Sequence, residues 1–221
     1  MTIMLRSLPH SWGLMLERIM DQLVDCRAVI AGGAIRDLLL GAEDRVKDLD
    51  IFVLGPGEST IQNLTKTFGE PPSRRYVGGS PETYADDPVW RWPELRLTYA
   101  APSVDLVAMG GIPDVVQLLD RFDITLVQVA HDGVRYTIHD NFAKAAERRT
   151  ISVVDNSWPD NARARAARMV QKFPGFMVDL SALQSQSGPV GSGTEGVLRE
   201  RIAADLRQAR EHSENVGGGR K

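Results

Sequence analysis

The chain has one cysteine, Cys26, in 221 residues. An internal disulfide is therefore excluded, a reducing cytoplasm is the expected compartment, and Cys26 is read as a small buried hydrophobe. Long apolar runs are missing as well. None approaches the roughly 20 residues needed to cross a bilayer. The N-terminal MTIMLRSLPHSWGLML holds no apolar block ending in a small-residue cleavage site. Neither a membrane span nor a signal peptide is expected. A basic excess is also lacking: 26 Lys and Arg stand against 29 Asp and Glu, a net charge of −3. That excludes an overall field for nucleic acid and leaves room only for a local patch of unevenly spread arginines. The four histidines, His10, His131, His139 and His212, show no metal-ligand spacing, and no segment repeats. With 43% hydrophobic residues, the chain has enough apolar material for one domain with an appendage.

Periodicity gives the elements. Trp12, Met15, Leu16, Ile19, Met20, Leu23 and Val24 recur at helical spacing, which predicts a helix over 11–25. A short strand over 28–31 enters Gly32-Gly33. A helix over 34–40 follows, with Gly41 as its stop. Residues 48–54 read as a strand whose alternation puts Asp48, Asp50 and Phe52 on one face and Leu49, Ile51 and Val53 on the other. A helix is expected over 58–68, and a long loop over 70–93, rich in Pro, Gly and charge. Two strands, 94–100 and 103–109, are expected to meet at a tight turn, Ala101-Pro102. Helices are expected over 112–121, 141–148 and 159–173, with Pro159 placed at a first turn. Short strands are expected over 134–138 and 150–154, and 124–130 fits either strand or helix. The composition changes after about residue 176. The organisation expected is a head over 1–176, a flexible linker over 177–196 and a charged helix with a disordered tail over 197–221.

The chemistry concentrates between Ala31 and Val53, AGGAIRDLLLGAEDRVKDLDIFV. A strand–Gly-Gly–helix junction aims backbone N–H groups and a helix N-terminus at one point, and glycine permits close approach of phosphate. Two aspartates at i and i+2 on a strand point the same way, so Asp48 and Asp50 can reach one divalent cation. Apolar residues alternate with them, and burying like charges side by side is costly without a cation. A third carboxylate is needed for a second ion and for a base. Asp105, in the apolar SVDLVAM, is the candidate, and Asp123 in RFDITL competes for the role.

GGAIRDLLLG followed by KDLDIFV resembles the head domain shared by CCA-adding enzymes and bacterial poly(A) polymerases, within the DNA polymerase beta-like nucleotidyltransferase superfamily. The resemblance covers roughly residues 27–175. It implies an α/β (α+β) nucleotidyltransferase fold, a mixed sheet flanked by helices. It gives Gly32 and Gly33 the triphosphate, and gives Asp48, Asp50 and Asp105 the metal and catalytic roles. Arg36 and Asp37 would support the triphosphate and the turn. Arg121, Asp123 and Thr125 match in part the segment RRDFTINA, with Phe122 at the second arginine and Val127 at the asparagine. Asp160 and Arg163 match the spacing of a base-reading EDxxR helix, and Arg165 and Arg168 resemble its later arginines. The cofactor implied is Mg²⁺, two ions, with Mn²⁺ as a substitute. The donor implied is an NTP, ATP or CTP.

The favoured acceptor on these grounds is an RNA 3′ end, above all tRNA. RNA acceptance would require a basic surface beside the carboxylates, built from Arg163, Arg165, Arg168 and Lys172. No counterpart is expected here for the helical body with which CCA-adding enzymes grip tRNA. That feature favours instead a standalone enzyme acting on a protein or a small molecule, of toxin, antitoxin or drug-modifying type. A non-catalytic nucleotide-binding module is the remaining alternative. Arg74-Arg75 and the Trp90-Arg91-Trp92 run read as loop features, with packing favoured over base stacking for the tryptophans.

Overall fold

The computed structural model describes residues 5–71, 73–76, 88–97, 102–154 and 159–181, with backbone alone for 73–76, 88 and 159–161. The segments expected as linker tail and C-terminal helix, and the side chains of Arg74, Arg75 and Asp160, lie outside these residues.

Strand β2 (Asp48–Leu54) organises the fold. It pairs antiparallel with β1 (Arg27–Ala31) on one side and parallel with β5 (Ser103–Met109) on the other. These three are the middle of a mixed seven-stranded sheet ordered β3-β4-β5-β2-β1-β6-β7. The outer strands are β3 (Ser73–Tyr76) and β4 (Pro88–Leu95) at one end, and β6 (Val129–His131) and β7 (Tyr136–Ile138) at the other. A separate parallel pair joins β8 (Thr150–Ser152) to β9 (Met177–Asp179).

Period-two alternation in β2 divides the molecule. Leu49, Ile51 and Val53 are fully buried and enter the main core with Val104, Leu106 and Ala108 of β5 and Trp92 of β4. Each such side chain contributes about 1.5–3 kcal/mol when fully removed from water. Helix α1 (His10–Met20) covers this core with Trp12, Met15, Leu16 and Ile19, at the i, i+3, i+4, i+7 spacing of one helix face. Helix α3 (Glu58–Phe68) adds Leu64. The opposite face of β2 carries Asp48, Asp50 and Phe52. Its lower part is closed by a smaller cluster in which Leu118 and Leu119 of α4 (Val115–Asp120) meet Val29, Ala31 and Leu54. Asp114 starts α4 by accepting from the Val116 and Gln117 amides at 2.9 and 3.0 Å, an N-cap that satisfies orphan donors. The upper part of this face stays open.

Two helices frame the opening. Helix α2 (Gly33–Leu39) leaves β1 through Gly32, whose φ is +80°. Helix α6 (Pro159–Lys172) buries Ala162, Ala166 and Met169, and Phe173 just beyond it. Those positions are spaced by four, three and four, one helical stripe. Helix α5 (Asp140–Arg148) packs Phe142, Ala145 and Ala146 beneath them.

Several expectations shift. Helix α1 stops at Met20, leaving Leu23 and Val24 in the turn beyond. The region read as a long loop contains β3 and most of β4, the strand placed at 94–100 overlaps β4 only at Glu94 and Leu95, and the turn expected at Ala101-Pro102 lies in part outside the described residues. Trp92 is buried, with Nε1 donating to the Gly69 carbonyl at 2.8 Å, so it packs the sheet. Residues 124–130 resolve into a 3₁₀ turn (Thr125–Val127) and then β6. Met177–Asp179, inside the segment read as linker, forms β9.

The turn at Gly32 gives a test. Its φ is open only to glycine, while an added Cβ there would meet nothing closer than the Phe122 ring at 3.9 Å. Gly32→Ala should therefore lower stability through backbone strain, by about 1–3 kcal/mol in a urea melt. Gly33→Ala, whose Cβ meets only the tip of Arg36 at 3.6 Å, should be near neutral.

Candidate active site

The open part of the sheet face and the two helices enclose a cleft of about 460 Å³. Gly32, Gly33 and Arg36 line it from the β1–α2 turn, Asp48, Asp50 and Phe52 from β2, and Arg165, Arg168, Met169 and Lys172 from α6. Phe122, Asp123 and Val127 close the remaining side. Phe52 and Phe122 stand 5.7 Å apart, tilted by 58°. The cleft thus has an acidic floor, a cationic wall and an aromatic side.

The cationic wall follows from helix geometry. On α6 the positions 165, 168 and 172 share one flank, roughly a quarter turn from the buried stripe, whereas 163 lies nearly opposite them on the other flank. Arg163 accordingly does not line the cleft and has interactions of its own. Arg165 Nη2 lies 2.9 Å from Asp123 Oδ2. Lys172 bonds the second oxygen of Asp37, whose first oxygen accepts from Arg36 Nε at 2.8 Å. The Arg36 guanidinium also lies over the Phe173 ring, 5.4 Å from its centre. The buried Asp37 therefore ties α6 to α2 and holds two cations at the edge of the cleft.

The sheet register places the third acid. Asp50 and Asp105 are direct partners across the parallel β2–β5 pair, so Asp48, Asp50 and Asp105 share one face. Burial pushes the Asp50 carboxyl up to about 6, with the negative charges of Asp48 and Asp105 adding to the rise. Arg91 and Arg165 pull in the other direction. Asp105 is engaged at both oxygens: Arg91 Nη2 bonds Oδ2, and the Glu94 amide donates to Oδ1 at 2.9 Å.

The structure gathers most of the residues picked out by sequence and separates a few. Gly32, Gly33, Arg36, Asp48, Asp50, Asp123 and Arg168 line the cleft. Asp105 adjoins Asp50 through the sheet, and Asp37 lies behind the cleft wall. Gly32 supplies conformation, since its amide is already committed to the Val129 carbonyl at 2.9 Å. Thr125 is buried and accepts from the Ser152 amide at 3.2 Å, a structural contact on the 3₁₀ turn. Arg121 caps the end of α4 and is outside the cleft lining. Gln128 is buried, with Nε2 donating to the Phe122 carbonyl at 3.3 Å. Arg91 was not singled out for a role, because only the β4–β5 register reveals its partner. Phe122 was visible in sequence only as a departure from a motif.

Asp48 and Asp50 are the pair that could hold a divalent cation. An all-oxygen donor set suits a hard ion such as Mg²⁺, and like charges on a half-buried sheet face fit a group whose charge is opposite. Among the described residues, no three His, Cys, Asp or Glu side chains are gathered to hold an ion as they stand, and Asp105 is turned to Arg91 and Glu94.

The fold is of the type seen in nucleotidyltransferase structures. A solved structure described as "tRNA-processing enzyme (apo form I)" superposes with a TM-score of 0.53 at 19% identity, over 80% of this chain and 46% of its own. A CCA-adding enzyme with CTP gives 0.52 at 21%, over 90% and 46%. The Thermotoga maritima CCA-adding enzyme complexed with tRNA gives 0.51 at 18%, over 91% and 42%. The chain spans less than half the length of these structures. No curated protein matches it. The chain belongs to the Gabija anti-defense 2 family, Gad2, whose model matches residues 11–149. Among the described residues, no helix is long and apolar enough to cross a membrane.

The raised Asp50 carboxyl has a thermodynamic sign. A carboxylate whose folded value exceeds its unfolded value of 3.8 costs stability once pH rises through the folded value, and the cost vanishes below the unfolded one. In EDTA, the protein should therefore lose stability between about pH 4 and pH 7. Asp50→Asn should remove that slope and stabilise the metal-free protein at pH 7.5 by up to about 3 kcal/mol, read from denaturant melts at both pH values.

Proposed function

We propose that this chain is a template-independent nucleotidyltransferase that moves a nucleoside monophosphate from an NTP to an acceptor hydroxyl. The observation that carries the reading is that Asp48 and Asp50 open into the same cleft as the Gly32-Gly33 turn and the cationic stripe of α6. Divalent magnesium, bound by Asp48 and Asp50, would neutralise charge on the phosphates and polarise the α-phosphate. The β1–α2 turn positions the triphosphate close to the backbone. Arg165, Arg168 and Lys172 balance the polyanion from the facing wall. Phe52 and Phe122 offer an apolar surface for the flat base or the sugar. The acceptor oxygen attacks the α-phosphorus in line as the bond to the β-phosphate breaks. Pyrophosphate leaves, and Asp105 takes the proton of the attacking hydroxyl. ATP and CTP are the donors expected.

Two observations bear on the acceptor. The cationic stripe beside the acids supports an RNA 3′ end, tRNA first, as the similarity to a CCA-adding enzyme complexed with tRNA suggests. Membership in a family named for anti-defense against Gabija supports the standalone alternative, in which a protein or small molecule is modified to blunt that defence.

Labelled ATP, CTP, GTP and UTP, each incubated with Mg²⁺ and then with tRNA, total RNA or cell protein, separate these outcomes. Wild type should label one acceptor class, and EDTA should abolish the signal. Asp48→Ala/Asp50→Ala should remain folded by circular dichroism and lose at least about a hundredfold in rate, the scale set by removal of one preorganised electrostatic group. Labelling undiminished in that double variant would refute the assignment.

A further inference from the structure

Arg91 reaches the acidic face from outside the cleft. Strand β4 pairs antiparallel with β5 so that Arg91 faces Val107 and Trp92 faces Leu106. The register then shifts before Leu95 meets Val104. Within the irregularity, Glu94 takes a φ of +56°. A bulge re-aims the groups around it, and here it turns the Glu94 amide onto one oxygen of Asp105 while Arg91 takes the other. Arg91 and Asp105 lie on the same sheet face, two residues apart in β5 register.

The two partners differ in freedom. The Asp105 side chain is 12% exposed and Arg91 is 53% exposed. The acid is fixed in the sheet, and the cation reaches it from the solvent side on a long stem. Asp105 also adjoins Asp50, so Arg91 supplies positive charge to the face where negative charge accumulates. Three other cations of the site pair elsewhere, Arg36 and Lys172 with Asp37 and Arg165 with Asp123.

Resting on the nucleotidyltransferase reading above, we propose that Arg91 is a displaceable counter-ion for Asp105. It occupies the carboxylate in the metal-free protein and gives way when a divalent cation is taken up. Guanidinium and cation then compete for one ligand. A half-exposed ion pair is weak enough to be exchanged. The Glu94 amide keeps Asp105 oriented throughout, so release of Arg91 frees one oxygen without loosening the side chain. Arg91 is thus a positioning and gating residue, one step removed from the reacting atoms.

Mn²⁺ binding to the full chain without nucleotide, followed by electron paramagnetic resonance, tests this. Wild type, Arg91→Gln, Arg91→Lys and Asp48→Asn are compared, with circular dichroism confirming the fold of each. Competition predicts that Arg91→Gln binds Mn²⁺ about two- to fivefold more tightly, the span expected for removing a half-exposed pair. Arg91→Lys should stay close to wild type, and Asp48→Asn should bind much more weakly. The melting temperature of Arg91→Gln in EDTA should fall, and its rise on adding Mn²⁺ should exceed that of wild type. Equal or weaker binding by Arg91→Gln, with binding still dependent on Asp48, overturns the counter-ion role and leaves the transferase reading intact. Absence of Mn²⁺ binding in all four proteins overturns both. Tighter binding in Arg91→Gln without transfer to any acceptor supports the competition and sinks the transferase reading alone.

Discussion

Three aspartates on one face of one sheet are the constraint around which the rest is arranged. Like charges repel more strongly as water is withdrawn, yet β2 and β5 must be buried on their other face to exist. The fold resolves this by giving the two faces of β2 different partners. Leu49, Ile51 and Val53 lock the strand into the main core, and this fixes the direction of Asp48 and Asp50 without spending any side chain on the task. Arg91, Arg165 and the α6 stripe then bring positive charge to the open face. A strand so anchored is a rigid platform, and a rigid platform keeps charged groups where transfer chemistry needs them.

Helix α6 depends on the same logic from the other side. Its apolar stripe, Ala162, Ala166, Met169 and Phe173, is drawn into the core, which leaves Arg165, Arg168 and Lys172 facing the cleft. The buried Asp37 joins Lys172 to Arg36 and so couples the end of α6 to the helix that follows the glycine turn. The cleft is therefore framed by β1, α2, β2 and α6, with β5 paired beside β2. The chain covers 46% of a neighbour in fold, and its own family is named for opposing a defence system.

Much of this was legible in the sequence, because the signals were local. Period-two alternation in DLDIFVL gave β2 and its faces, and Gly32-Gly33 marked the turn between an apolar strand and a helix. Pro159 marked the first turn of α6. What was not legible depends on contacts distant in sequence. Strand β4 was read as loop because Pro, Gly and charge surround it, and only pairing with β5 makes it a strand. The meeting of Arg91 with Asp105 is set by register and by a bulge at Glu94, neither of which leaves a pattern in single-sequence periodicity. Arg163 was grouped with its neighbours by motif spacing, whereas rotation about α6 sends it to the other side. Gln128 is likewise placed by tertiary contact, its burial tying it to the Phe122 backbone.

The proposed chemistry requires Asp48 and Asp50 to hold a divalent cation against a triphosphate seated at the β1–α2 turn. Crystals grown with Mn²⁺ and a non-hydrolysable NTP test it most directly through anomalous scattering. The account predicts an anomalous peak bridging the two carboxylates, with the triphosphate between the Gly33 backbone and the Arg165–Lys172 face of α6. A triphosphate bound elsewhere, or bound in this cleft with no metal at Asp48 and Asp50, would contradict it.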